Sequence, residues 1–285
     1  MKILVLGISG MLGHQVFSEF SRATGCETWG TLRSPSLLRH FDESSRARIR
    51  VGIDVLDQDA LTRLFAQLRP EVVINCVGLI KQLADAEDPL TALPLNAMLP
   101  HRLAALCRLG GARLIHVSTD CVFSGCRGNY REDDLSDAHD LYGKSKYIGE
   151  VRDDAHAITL RTSIIGHELN SNVALVDWFL SQQGRVKGYR RAIFSGLPTA
   201  ELARVMHDVV LPRPELHGLY HVSAAPIAKY DLLDLIARQY GKQIAIDGDD
   251  AVAIDRSLDS SRFTLATGYR APAWPALIAS MQQAH

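Results

Sequence analysis

The sequence predicts an α/β chain built on a doubly wound parallel sheet, followed by a smaller C-terminal lobe. Three observations predict it. A β-type apolar run at residues 2–6 leads straight into Gly7-Ile8-Ser9-Gly10-Met11-Leu12-Gly13, then into helical spacing at Val16, Phe17 and Phe20. Strand-like and helix-like segments alternate through the first 165 residues, which calls for a sheet with helices on both faces. Late in that alternation, Tyr142 and Lys146 stand four residues apart at the start of a helix, stacked on one face. Strand, glycine turn and helix in immediate succession are the entry to a Rossmann lobe.

Gly7 allows a tight turn, Gly10 lets a pyrophosphate approach bare backbone, and Gly13 lets the helix lie close to the strand. Met11 and Leu12 open that helix, whose first N–H groups face the anion. The spacing is G-x-x-G-x-x-G rather than G-x-G-x-x-G. A second strand is expected over about 27–31. Folds that take NAD usually end this strand on a carboxylate that holds the ribose 2′-OH. Here Gly30-Thr31-Leu32-Arg33-Ser34 has none, and Arg33 with Ser34 suits a 2′-phosphate. The expected cofactor is NADPH, with NADH as the alternative.

Residues 34–48 read as a surface loop or short helix, and Val51-Gly52-Ile53-Asp54-Val55 as the third strand. Asp54 either accepts from an adenine amino group, with Val55 against the ring, or belongs to the N-cap region of a helix beginning near Asp57 or Asp59. The run Glu71–Gly78 is a buried-type strand broken by glycine. Cys76, Val77 and Gly78 at its carboxyl end allow a nicotinamide ribose to approach. A helix over about 92–109 carries Asn96 in its apolar stripe, where a buried amide needs a partner; Pro100 predicts a kink or a helix start.

The next strand, 113–120, runs into Ser118-Thr119-Asp120, just past the strand end where doubly wound sheets bind ligands. A loop over 125–140 leads to the Tyr142 helix. Beyond lie a strand over 157–165, helices over 173–183 and 201–211 with an irregular stretch 184–199 between them, a strand at 218–222, a helix over 229–241 and a mixed tail. Trp178 is expected in packing. The expected division is a Rossmann lobe of 1–165, to which 198–223 returns, and a second lobe of 166–285.

A phenol titrates near ~10 and is a poor acid at neutral pH. A nearby ammonium favours the phenolate, which draws the pKa down and lets Tyr142 hand a proton to an oxygen gaining charge. With a net charge of −1 and scattered Lys and Arg, the composition argues against nucleic acid. No apolar run reaches the ~18 residues of a membrane span, and the N-terminal residues lack a signal-peptide pattern, so a cytoplasmic chain is expected. Five cysteines without a CxxC read as free thiols, and no metal-ligand spacing occurs; His167-Glu168 lacks a second histidine on the next turn.

Together these segments resemble the extended short-chain dehydrogenase/reductases, and within them the dTDP-4-dehydrorhamnose reductases and relatives acting on nucleotide-linked 4-keto-6-deoxy sugars. The resemblance lies in Ser118-Thr119-Asp120-Cys121-Val122-Phe123, Gly128-Asn129-Tyr130-Arg131-Glu132, Tyr142 to Lys146 with Gly149-Glu150, Leu160-Arg161-Thr162-Ser163, Gly196-Leu197-Pro198-Thr199 and Arg256-Ser257-Leu258-Asp259. It implies that Thr119 bonds the sugar's keto oxygen, Tyr142 protonates it, and Lys146 lowers the phenol's pKa and holds the nicotinamide ribose. It also implies that Ser118, Asp120 and Arg256 bind substrate in the second lobe's sugar-nucleotide site. Lys187 is a further candidate for the diphosphate, and a homodimer is the implied assembly.

The departures from the family pattern surround the sugar: Cys121 replaces an aromatic, Ile164 a Trp, Ala138-His139-Asp140 a Pro-x-Asn, and Asn75–Gly78 a set of small alanines. They leave the sugar and its nucleotide open. Two other functions share the pattern. One is an epimerase or dehydratase with tightly held NAD, against which stands the missing acid after the second strand. The other is a non-catalytic NADP-binding regulatory subunit, against which stands the intact Thr119/Tyr142/Lys146 set.

Overall fold

The structure, a computed structural model, describes residues 1–79 and 87–284. Its centre is a seven-stranded parallel sheet of β1 (Lys2–Leu6), β2 (Glu27–Leu32), β3 (Ile49–Val51), β4 (Val72–Asn75), β5 (Arg113–Thr119), β6 (Ala157–Thr162) and Gly218–His221. The spatial order is Gly218–His221, β6, β5, β4, β1, β2, β3. β1 pairs in parallel with β2 on one side and β4 on the other, so the winding reverses at β1. That reversal opens a crevice beyond the carboxyl ends of β1 and β4. Ile3 to Leu6 and Val72 to Asn75 are buried throughout, because a sheet covered on both faces leaves no solvent side for polar alternation.

Two compact units share the chain. The first holds Met1–Ser118, Asp140–Leu160 and Ala203–Leu219; the second holds Thr119–His139, Arg161–Leu202 and Tyr220–His285. The boundaries differ from the expected cut at 165: Thr119–His139 groups with the second unit, and the returning segment is Ala203–Leu219. In the first unit, Leu4, Leu6 and Val73 pack with Leu61, Leu64 and Phe65 of the helix Gln58–Leu68 and with Leu99 and Leu103 of the helix Leu99–Gly110. Each such side chain contributes about 1.5–3 kcal/mol on full burial.

Three local expectations change. β3 ends at Val51, because Gly52 takes a left-handed φ of 78° and turns the chain out of the sheet. Residues 184–199, expected to be irregular, contain three short strands, Arg185–Tyr189, Ala192–Phe194 and Leu197–Pro198. Arg185–Tyr189 pairs in parallel with Ala245–Asp249 of the tail, and Ala192–Phe194 lies between Ile227–Ala228 and Ile254–Asp255. Trp178, expected in packing, is 36% exposed on the helix Leu175–Ser181.

Around Asn96 the helix neither breaks nor stays regular. Pro89–Ala92 passes into a π-helical segment, Leu93–Met98, and then into Leu99–Gly110. The Leu99 N–H donates to Pro94 O, five residues back, and Pro100, which has no N–H to give, falls in the first turn after this change of pitch. Asn96 is fully buried here. Gly149, at the end of the helix Leu141–Ile148, lets that helix press against the π segment: a Cβ on Gly149 would lie 1.9 Å from Asn96 O. Gly149→Ala is therefore expected to cost more than about 3 kcal/mol of stability, as a backbone clash should, measured by urea unfolding.

Candidate active site

The turn after β1 is built around close backbone contacts. Gly7 has a φ of 80°, and a Cβ there would lie 2.8 Å from Val77 Cγ2. Its N–H donates to Thr31 Oγ1 at 3.2 Å, and Gly10 N–H donates back to Gly7 O at 3.1 Å. At Gly13 a Cβ would lie 2.1 Å from Gly7 O, so only glycine lets the helix Met11–Arg22 lie this close to the turn. Gly10 is the N-cap, no side chain caps this end, and the first turn carries no acid. Bare backbone beside an uncapped positive helix end fits a dinucleotide's pyrophosphate.

Arg33 is exposed just past β2, and no carboxylate among the described residues pairs with it. Ser34 caps the turn Pro35–His40, its Oγ accepting from Ser36 N–H at 3.3 Å. Asp54 is exposed and accepts from Leu56 N–H at 2.9 Å, while the cap of the next helix is Asp57, bonded to Ala60 N–H. Val55, one of whose two expected places was against an adenine, packs with Leu61 and Val73.

The helix Leu141–Ile148 starts on Asp140, whose Oδ1 accepts from Gly143 N–H at 2.7 Å. Tyr142 is half-buried, whereas Lys146 is only 6% exposed. The Lys146 ammonium donates to Val117 O of β5 at 2.8 Å. It also stands against the end of β4, since a Cβ on Gly78 would lie 3.8 Å from its Nζ. Burial draws the Lys146 pKa down to about 8, opposed by the charge of Glu150 and by Cys76. The Cys76 thiol is pushed up to about 12 by desolvation, against the pull of Lys146. It is thus neutral in the working range.

Asn96 meets its need for partners on both sides. Its Oδ1 accepts from Leu79 N–H at 3.0 Å, and its Nδ2 donates to Ser145 Oγ at 3.3 Å. The π segment is thereby tied to the loop after β4 and to the Lys146 helix. Ser118, which the resemblance assigned to substrate, donates its hydroxyl to Glu150 Oε1 at 2.7 Å and is 3% exposed. Its position on β5 turns the side chain into the first unit.

In the second unit, Thr119 and Asp120 are 8% and 7% exposed. Thr119 Oγ1 accepts from Cys121 N–H at 3.1 Å and donates to Asp120 Oδ1 at 3.2 Å, capping the turn Asp120–Val122. Burial raises the Asp120 pKa, partly offset by Arg256, by hydrogen bonds from Cys121 and Thr119, and by Lys229. Arg256 Nε donates to Phe123 O at 2.7 Å. Lys187 pairs with Asp249 at 3.0 Å. His167 is held by Asp177 and Tyr240, at 2.6 and 2.8 Å. No cluster of metal-binding side chains occurs among the described residues, and none of their helices is long and apolar enough to cross a membrane.

A family model described as the RmlD substrate binding domain matches residues 1–263. The chain belongs to this family. It is 32% identical over 244 residues to methionine adenosyltransferase 2 subunit beta of Xenopus tropicalis, covering 81% of this chain and 70% of that one. It is 33% identical over 148 residues to a dTDP-4-dehydrorhamnose reductase of Streptomyces griseus, covering 52% and 43%. Among solved structures it matches dTDP-4-dehydrorhamnose reductase from Bacillus anthracis, crystallised with NADP, at a TM-score of 0.79 and 20% identity over 99% and 98% of the two chains. The shared fold is that of the family's extended dehydrogenase/reductase architecture.

Glu150, quoted from the sequence only as part of the family match and given no role there, is legible as the acid four residues beyond Lys146. The glycine turn yields a paired test. Gly13→Ala should disrupt the fold, whereas Gly10→Ala, whose Cβ would sit 3.6 Å from Gly7 O at an ordinary φ, should stay within about 1 kcal/mol of wild type yet bind NADPH at least about tenfold more weakly; thermal unfolding and fluorescence titration check both.

Proposed function

We propose that the chain reduces the keto group of a nucleotide-activated 4-keto-6-deoxy sugar with NADPH, Tyr142 giving the proton. The observation that carries this reading is the buried Lys146 ammonium, fastened to Val117 O at the crevice end of the sheet, one helical turn from Tyr142. The nicotinamide, when bound, supplies the hydride. Tyr142 donates its phenolic proton to the carbonyl oxygen as that oxygen gains charge, and Lys146 stabilises the phenolate left behind. Thr119, Asp120 and Arg256 keep the substrate-binding roles that the resemblance assigns. Support for NADPH comes from exposed Arg33 past β2, and from the NADP in the Bacillus anthracis structure.

A second reading is favoured by the similarity to methionine adenosyltransferase 2 subunit beta: a cofactor-binding subunit that acts through a partner enzyme. One assay separates the two. The purified protein is given NADPH and a panel of 4-keto sugar nucleotides, and loss of reduced-cofactor absorbance is followed. Turnover supports the reductase; tight NADPH binding with no turnover on any sugar supports the subunit. Stoichiometric NAD carried through purification, without net use of NADPH, would mark an epimerase or dehydratase. Tyr142→Phe should lower turnover by about 10²–10⁴-fold while leaving NADPH affinity within about threefold. Arg33→Ala should weaken NADPH about tenfold or more and leave NADH nearly unchanged, read from the two dissociation constants.

A further inference from the structure

Glu150 follows the C-cap glycine of the Tyr142 helix, four residues beyond Lys146, and its side chain is wholly shut off from solvent. A carboxylate in such a place is costly unless donors hold it. Two do: Ser118 Oγ at 2.7 Å from the β5 side, and Arg152 Nη2 at 2.5 Å from the following turn. Arg152 itself is about one-third exposed, so its charge is shared with water while the charge of Glu150 is not.

The groups that face Lys146 can be weighed in turn. From β5 come the Val117 carbonyl and His116; from the end of β4 comes Cys76; from just past the C-cap of its own helix comes Glu150, with Tyr142 one turn before it in the helix. Cys76 is a neutral thiol. His116 is neutral too. Asn75 Oδ1 accepts from Val77 N–H, which turns Nδ2 toward His116 Nδ1 as a donor at 3.2 Å, so that ring nitrogen carries no proton. Burial, Lys146 and His101 together push the His116 pKa well below its usual value. Val117 O contributes a dipole but no charge. Among the described residues facing Lys146, the full negative charge is that of Glu150.

We infer that Glu150 is a positioning residue whose buried carboxylate, held by Ser118 and Arg152, keeps Lys146 an ammonium and through it keeps Tyr142 an effective proton donor. This deepens the reductase reading and rests on it for the last step only. It also gives the Ser118 hydroxyl a task inside the first unit in place of a sugar contact.

The test follows the Lys146 Nζ signal by NMR in full-length protein labelled with lysine carrying ¹⁵N at Nζ, assigned with Lys146→Arg, across the alkaline range. Glu150→Gln should lower the Lys146 midpoint by about one pH unit or more, as loss of a charge at an effective dielectric of ~20 does. Arg152→Met, which removes a neighbouring cation and also the charged donor that holds Glu150 ionised, should move it by more than about 0.3 unit, and Glu150→Asp, which keeps the charge, should leave it close to wild type. In turnover, the alkaline limb of the rate profile should move with the NMR midpoint, with kcat falling and KM little changed. Midpoints of Glu150→Gln and Arg152→Met both within about 0.3 unit of wild type would overturn the inference. If Glu150→Gln does not fold, an Arg152→Met midpoint within about 0.3 unit of wild type overturns the inference alone. A wild-type protein that reduces no sugar nucleotide defeats the reductase reading, and the Nζ titration still judges the role of Glu150.

Discussion

The ammonium of Lys146 sits almost out of reach of water, hydrogen-bonded to Val117 O, and much of the first unit can be read as the means of tolerating it. Removing an ion from water costs several kcal/mol even after relaxation. A strand carbonyl and a carboxylate on the next turn offset that cost, but only if β5 and the Lys146 helix meet in one register. The helix must therefore lie close. Gly149 removes the side chain that would collide with Asn96 O, and Asn96 then bridges Leu79 N–H and Ser145 Oγ. The π segment fits the same constraint, since the extra residue in its turn stands where the buried amide must point both ways.

The second unit meets a similar difficulty by other means. Arg161 is fully buried, with Nη1 2.8 Å from His221 Nε2 and its guanidinium 4.9 Å from the Phe123 ring. Phe123 stacks on Tyr130 at 4.1 Å between centroids. Glu132, its pKa raised by burial, accepts from His221 N–H at 2.8 Å. Tyr130 N–H donates to Ser257 O and its carbonyl accepts from Asp259 N–H, so the loop carrying Thr119 and Asp120 at its start is stitched to the tail. Polar groups that satisfy one another in this way define one arrangement of a loop that has little regular structure of its own.

Local chemistry makes part of this readable in the sequence. The glycine turn was legible because each glycine answers a steric demand between near neighbours, and the spacing of Tyr142 and Lys146 because a helix converts distance along the chain into a shared face. Pairings between distant residues were not. The strand Arg185–Tyr189 finds its partner some sixty residues later, and neither segment has enough apolar alternation to announce itself. Val55 joins the core cluster with Leu61 and Val73, which residue type alone does not reveal. Within Ser118-Thr119-Asp120, adjacency to a strand end could not say which hydroxyl was already committed; Glu150, 32 residues away, decides it. Pro100 reads as a kink or a helix start, yet the helix continues past it from a π-helical segment by changing its pitch.

The packing of Gly30 bears on how such a protein changes its diet of cofactor. A Cβ on Gly30 would come within 2.6 Å of the Ile8 side chain and 3.1 Å of the Phe17 ring, so a bulkier residue in β2 there would force these buried side chains to repack. Two residues beyond the end of that constraint, past buried Thr31 and Leu32, Arg33 and Ser34 lie outside the core. Natural variation or laboratory redesign is thus channelled to the first residues after the strand. If Arg33 and Ser34 meet the 2′-phosphate as proposed, a lineage can exchange the phosphorylated for the plain dinucleotide by altering surface side chains, without renegotiating the scaffold beneath them.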